Sequence, residues 1–422
     1  MHPDQVTHLL DKIIHRWQNM PRMRMKAITV MMCALGLSVA AMGAVPEHFQ
    51  PRAKELLADS IELIPSENQL NVIYFVGNDR EPIADYERRI SELLIYLQQY
   101  YGKEMVRNGQ GAHSFGLSMK DNGEVQIHLV RGKKPHTEYS YGTGHNPCLE
   151  EVNAYLDAVP GRRTSQHTFV IMPTHYDEEY NDLNPGGVPF YGLGTNCFAL
   201  DYAHFDIKHI GQPTKEGRLL TKWYGGFAHE LGHGLNLPHN LGTASDNKAH
   251  GTALMGAGNY TFGFRPTYLT LASCRILAHS ELFVSKGTTT KFYTQVEAPT
   301  VETASFKRVG DTLELYLRTA PEVVNVNAYI QDPPFEVNRD YDAVPFPCSM
   351  SKTADGKTVA IVSIPLAELS ELKNTEGGAM ALDVLIQTNE GSRFRWRVPF
   401  DLKNEPADGS IDMGTPVLWR GY

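Results

Sequence analysis

The chain has 422 residues with 39 Lys+Arg against 48 Asp+Glu, a formal charge of −9 that excludes a general binder of polyanions such as nucleic acid. Its 42% hydrophobic and 21% charged residues, with 36 Gly and 25 Pro, are those of a globular protein, not of a disordered, collagenous or polytopic membrane chain. Five cysteines are too few to replace a hydrophobic core, and the length predicts two or three domains of roughly 150 residues.

Residues 1–26 carry Lys12, Arg16, Arg22, Arg24 and Lys26 against Asp4 and Asp11, and residues 27–45 carry no charge. This is the layout of a secretory signal, with Ala41, Gly43 and Ala44 as small residues where a peptidase cuts. The competing reading is an uncleaved anchor, because the uncharged run approaches the roughly 20 residues that span a bilayer. Either reading places the protein outside the cytoplasm: secreted, periplasmic or at the cell surface, with no membrane span once a signal is removed. In an oxidising compartment Cys148, Cys197, Cys274 and Cys348 admit three pairings, and their spacing selects none.

Residues 69–76 (QLNVIYFV) read as a buried strand and 85–105 as a helix. Residues 114–120 and 125–131 alternate like a strand pair around Asp121-Asn122-Gly123. A short helix follows at 149–158, a strand at 167–174, and a further strand within 189–202, broken by glycine at its start. Strands and helices in this order predict an α/β layer structure. From about residue 295 the pattern changes to short alternating runs at 312–318, 324–330, 357–364, 381–387 and 394–400, punctuated by Asp355-Gly356 and Glu390-Gly391. Such runs predict an all-β sandwich of the immunoglobulin-like sort. The expected division is therefore 1–44 signal peptide or anchor, 45–294 catalytic portion and 295–422 sandwich.

The chemistry is concentrated in residues 228–240, AHELGHGLNLPHN. His229 and His233 are four apart, so one helical turn presents both imidazoles on one face, where two nitrogens share an ion. Glu230 lies beside the first histidine, where a carboxylate takes a proton from the ion's water. His239 is too far around to continue on the same helix, so the helix must stop. Asn236 tolerates φ > 0 at a helix C-terminus and Pro238 cannot continue a helix, so a turn at Asn236 swings His239 back. Three neutral imidazoles with one open position are what catalytic zinc requires.

The segment HELGHGLNLPH resembles the metzincin zinc-peptidase signature HExxHxxGxxH, and ALMGAGN around Met255 resembles that clan's Met-turn. The resemblance covers roughly residues 69–284, with Asn236 where the family usually has Gly. It implies a metzincin-like α/β catalytic domain: a mixed twisted sheet, the active-site helix, and a C-terminal helix over 266–282. His229, His233 and His239 would be the zinc ligands, Glu230 the general base and Met255 the apolar floor. Tyr260 is either an oxyanion donor or a packed aromatic in a hydrophobic wall. The segment 191–200 would be the edge strand that holds substrate, with Gly192, Gly194 and Asn196 as contacts; its glycines permit either close backbone approach or a bulge.

The remaining candidates point elsewhere. Asp177, Glu178, Glu179 and Asp182 lack the alternate spacing of a calcium loop and read as a solvated acidic loop, so Ca2+ has no support. His175, His204 and His209 have no spacing that makes a second metal site, and His250, five residues before Met255, reads as a local loop partner. The sequence thus predicts a secreted zinc metallopeptidase acting on a protein or peptide, with a sandwich whose partner is unspecified. The rivals are a noncatalytic binding or adhesion protein with a structural zinc, and a zinc hydrolase of a non-peptide amide bond. Glu230 argues against the first, since a structural site needs no base and fills its fourth position.

Overall fold

In the computed structural model the described residues are 45–174, 186–333, 340–373, 378–402, 409 and 411–419. The signal or anchor at 1–44, the acidic run from Asp177 to Asp182 and His175 lie outside them.

Strand β1 (Asn71–Val76) is buried at every position, as the run NVIYFV requires when both faces of a sheet are covered. It pairs in parallel with β2 (Ile127–Arg131) on one side and β3 (Thr168–Pro173) on the other. Beyond β3, β5 (Asn196–Asp201) is again parallel, and the two-residue β4 (Gly192–Leu193) closes the edge antiparallel to it. The sheet order is β2-β1-β3-β5-β4. Helices α1 (Pro51–Leu56), α2 (Tyr86–Arg107) and α3 (His145–Asp157) accompany the sheet. The α2 helix is bound to β5 by a buried pair in which both terminal nitrogens of Arg89 reach the Asp201 carboxylate, at 2.7 and 2.8 Å. The expected strand pair around residues 121–123 shrinks to one bridge, Met119 to Val125, because residues from Ile127 onward leave it to pair with β1.

Helix α4 (Lys215–Gly234) carries the two-histidine motif, and α5 (Ala244–His250), β6 (Thr252–Ala253) and β7 (Thr267–Tyr268) follow. The helix expected over 266–282 is shorter: α6 spans Leu271–Ala278, opened by Thr270, whose hydroxyl accepts the Ser273 N–H.

The tail forms two antiparallel sheets around a shared core that includes Leu315, Leu317, Val326, Ile330, Ile364, Val384 and Trp396. One sheet is ordered β11-β10-β14-β15-β16, the other β12-β13-β9-β8. The ranges are β8 (Thr300–Val309), β9 (Thr312–Ala320), β10 (Asn325–Gln331), β11 (Val344–Pro347), β12 (Ser349–Lys352), β13 (Thr358–Pro365), β14 (Ala379–Gln387), β15 (Arg393–Asp401) and β16 (Val417–Trp419). Four of these were not expected. β8 is largely exposed, β11 is interrupted by prolines, β12 is polar and β16 has three residues, so none shows the alternation that marks a half-buried strand.

The tail is fastened to the segment that follows α4. Leu241 N–H donates to Ala343 O at 2.8 Å, Arg275 to Cys348 O at 2.7 Å and Gln387 to Ile276 O at 3.1 Å. Residues Pro46–Tyr422 are accordingly one compact unit. The four cysteines expected to pair are all free and buried. Desolvation raises their thiol pKa values above the ordinary range. No helix among the described residues is long and apolar enough to cross a membrane.

Candidate active site

Helix α4 starts at Thr214, whose hydroxyl accepts the Gly217 N–H at 3.1 Å, and runs with its last turn buried against β4 and β5. It stops where the sequence predicts. Asn236 has φ 74°, its N–H donates to His233 O at 2.7 Å, and Leu237 N–H donates to Gly232 O at 2.9 Å. These two bonds make a Schellman turn with asparagine in the left-handed position that glycine usually fills. The chain reverses and brings His239 back to the helix.

The three imidazoles then meet. His229 Nε2 to His233 Nε2 is 3.1 Å, His233 Nε2 to His239 Nε2 is 3.0 Å and His239 Nε2 to His229 Nε2 is 3.2 Å. The Nδ1 atoms of His229 and His233 lie 2.8 and 2.9 Å from the carbonyls of Leu254 and Leu237. A carbonyl only accepts, so each Nδ1 carries the proton and each Nε2 presents a bare lone pair. Facing lone pairs repel unless a cation lies among them. Tetrahedral Zn–N bonds of about 2.0–2.1 Å require nitrogens roughly 3.3–3.4 Å apart, within a few tenths of this spacing. The residues therefore fit a zinc ion. Burial keeps all three rings neutral. Desolvation lowers His229 to about 4, lowers His233 well below the ordinary value with help from His229, and depresses His239 with help from His233 and His229.

Glu230 stands beside this cluster, and desolvation pushes its carboxyl up to about 8, opposed by the Gly192 N–H that donates to it. Gly192 comes this close because it has no side chain: a Cβ there would lie 2.2 Å from the His233 Cβ. Gly194, at φ 64°, turns the chain between Leu193 and Asn196. The two glycines thus have separate jobs, close approach to the helix and the hairpin turn. Asn196 pairs with Leu193 and Thr168.

Met255 is buried under the helix, its sulfur 2.4 Å from where a Cβ on Gly232 would stand, and its carbonyl accepts the Asn240 N–H. Tyr260 is 64% exposed in a short turn after Met255, which overturns the packed-wall reading. His250 packs near Tyr268, and His204 near His209; among the described residues none of them joins a group of three metal-ligating side chains.

Two residues of this site carry no sequence signal. Tyr341, in a turn of the tail, stacks its ring on His239 at 3.7 Å and 27° and lies 5.9 Å from His229 at 12°. Burial, then the neighbouring Glu230, Tyr260 and Tyr141, push its hydroxyl up to about 12. His167, at the start of β3, is fully buried with Nδ1 2.6 Å from Gly234 O and Nε2 2.8 Å from the Tyr293 hydroxyl, so it holds the last carbonyl of α4. Tyr341 falls in no motif or periodic run, and His167 opens the run read as a strand at 167–174 without any sign of a role at the helix end; only the packing of distant segments brings them here.

Among solved structures, the chain is similar to wild-type OgpA from Akkermansia muciniphila, at 47% identity over 83% of this chain and 98% of that one, with a TM-score of 0.78. It is equally similar to catalytically inactive OgpA in complex with an O-glycopeptide (glycodrosocin) substrate, at 47% identity over 83% and 97%, with a TM-score of 0.78. No family model and no curated protein sequence matches the chain.

Proposed function

Because the chain belongs to the OgpA family, we propose that it is a secreted zinc-dependent peptidase whose substrates are O-glycosylated peptides. The observation that carries this reading is the convergence of three histidine Nε2 atoms within 3.2 Å of one another, with Glu230 beside them. His229, His233 and His239 would hold the ion. Zinc in that position supplies Lewis acidity to the substrate carbonyl and to the attacking water.

The chain's own residues do the rest. Glu230 takes the proton of the attacking water on its carboxylate and passes it to the leaving nitrogen. Burial raises the proton affinity of that carboxylate, which favours its taking the proton from water. The Gly192 N–H holds that carboxylate in place. Tyr341, from the tail, and Tyr260, from the turn after Met255, bring hydroxyl donors to the same mouth, where negative charge develops on the carbonyl oxygen. Strand β4 is the last in its sheet, so its outer edge is open to an extended peptide.

The strand order with its antiparallel edge, the helix ending at Asn236 and the turn at Met255 support a metzincin-like catalytic portion at 45–294. The two facing sheets support an immunoglobulin-like sandwich at 295–422, which contributes Tyr341 to the site. The test is metal analysis of the purified protein together with cleavage of an O-glycopeptide by wild type and Glu230→Ala. The reading expects about one zinc per chain in both and cleavage by wild type alone. Cleavage that persists in Glu230→Ala would refute the assigned base, and no cleavage by wild type would refute the peptidase.

A further inference from the structure

A cavity of about 540 Å³ lies between the β4–β5 hairpin and the tail, next to the turn at Asn236 that ends the metal-binding helix. The hairpin residues Leu193, Gly194 and Thr195 form one wall, Arg393 of β15 and Trp419 of β16 the other, and Asn236 lies between. Trp419 also borders a separate small gap lined by Pro238 and His239.

Arg393 is 3% exposed and its guanidinium meets no carboxylate among the described residues. It donates to Asn236 O and, at 3.4 Å, to Trp419 O, while its Nε has no hydrogen-bond partner. The charges that act on it come from Tyr293 and Tyr329, and burial lowers its pKa to about 10. A second polar group faces the same space: Asn236 is 1% exposed, and neither Oδ1 nor Nδ2 of its amide has a partner. A buried cation and a buried amide with donors to spare are costly unless an acceptor completes them. An anion with two oxygens, accepting from guanidinium and amide together, matches that need.

The position of the cavity identifies the anion's source. Strand β4 runs from Gly192, which touches Glu230, toward the hairpin that walls the cavity. A peptide paired antiparallel to the open edge of β4 has its N-terminal residues at the hairpin end, and antiparallel pairing is the more stable arrangement. We propose that this cavity is a subsite for a substrate carboxylate, an Asp or Glu side chain lying N-terminal to the cleaved bond. The inference rests on the peptidase reading and extends it to a substrate preference.

The test uses matched O-glycopeptides carrying Asp or Asn at successive positions N-terminal to the cleaved bond. Calorimetric titration of the full-length Glu230→Ala protein should show, at one position, about tenfold tighter binding of the Asp peptide, the worth of one charge-assisted hydrogen bond. Wild type should prefer the same peptide by a similar factor in kcat/KM, through KM. The Asp-to-Asn ratio should fall to about one in Arg393→Gln and persist in Arg393→Lys. Because Arg393 also holds the Asn236 carbonyl, Asn236→Gly is the companion variant: it keeps the turn, removes the amide and should lower the ratio. Each ratio is taken within one protein, so a general loss of activity leaves it unaffected. Equal binding of Asp and Asn peptides at every position, or a ratio unchanged in Arg393→Gln, overturns the subsite. Absence of cleavage by wild type refutes the peptidase reading, while the binding ratio still decides the subsite.

Discussion

His167 ties the end of the metal-binding helix to pH through a group that is not a ligand. In the unfolded chain its imidazole titrates near 6.5, whereas burial, reinforced by Arg393, holds the native ring at about 4 despite the opposing Gly234 carbonyl. Its hydrogen bonds agree with a neutral ring, since Nδ1–H donates to Gly234 O and Nε2 accepts from Tyr293. The native pKa is depressed, so between pH 6.5 and 4 the unfolded state binds more protons. The stabilisation is therefore full above 6.5 and is lost as pH falls toward 4. The whole difference is about 3.4 kcal/mol, of which about 2 kcal/mol is lost between pH 7 and pH 5. Urea denaturation of wild type and His167→Asn at those two pH values, both in excess chelator, isolates the term, because the three ligand histidines contribute equally to both proteins. Wild type should lose about 2 kcal/mol more than the variant on going to pH 5. Losses equal to within about 0.5 kcal/mol would show that His167 is not held neutral and would refute the argument.

Gly192→Ala places a methyl 2.2 Å from the His233 Cβ, so it should displace that ring and weaken zinc binding at least about tenfold, read by competition with a chromophoric chelator. An affinity equal to that of wild type would show that β4 yields instead. Tyr341→Phe keeps the stacked ring and removes the hydroxyl. If that hydroxyl stabilises developing charge, kcat should fall about 10²-fold with KM little changed, and an unchanged kcat would reduce Tyr341 to a packing role. Arg89→Met strands the buried Asp201 carboxylate and should cost about 3–5 kcal/mol in urea unfolding. Zinc removal should abolish cleavage and lower Tm, and cleavage that survives exhaustive chelation would eliminate zinc from the chemistry.

The features of the site that could be read from the chain are those fixed over a few residues. The 3.6-residue period puts His229 and His233 on one face, and the φ of 74° at Asn236 follows from the need to end a helix before Pro238. Buried runs such as residues 71–76 and 168–173 announce themselves by composition alone. By contrast, residues 114–120 promised a ladder that β1 took over, since a strand's partner is decided by which edge is open. The glycines at 192 and 194 looked alike, and only the helix pressing on one and the hairpin at the other separated their roles.

By its order of residues this protein specified a helix with two imidazoles, a stop, and a third imidazole within reach, because torsional preference and helical period act over distances of one or two turns. Folding in three dimensions decided that Tyr341 covers His239, that Arg393 grips Asn236 and that four cysteines stay unpaired. Those contacts join segments a hundred or more residues distant, and what selects them is the burial of surfaces whose complementarity exists only once both have formed.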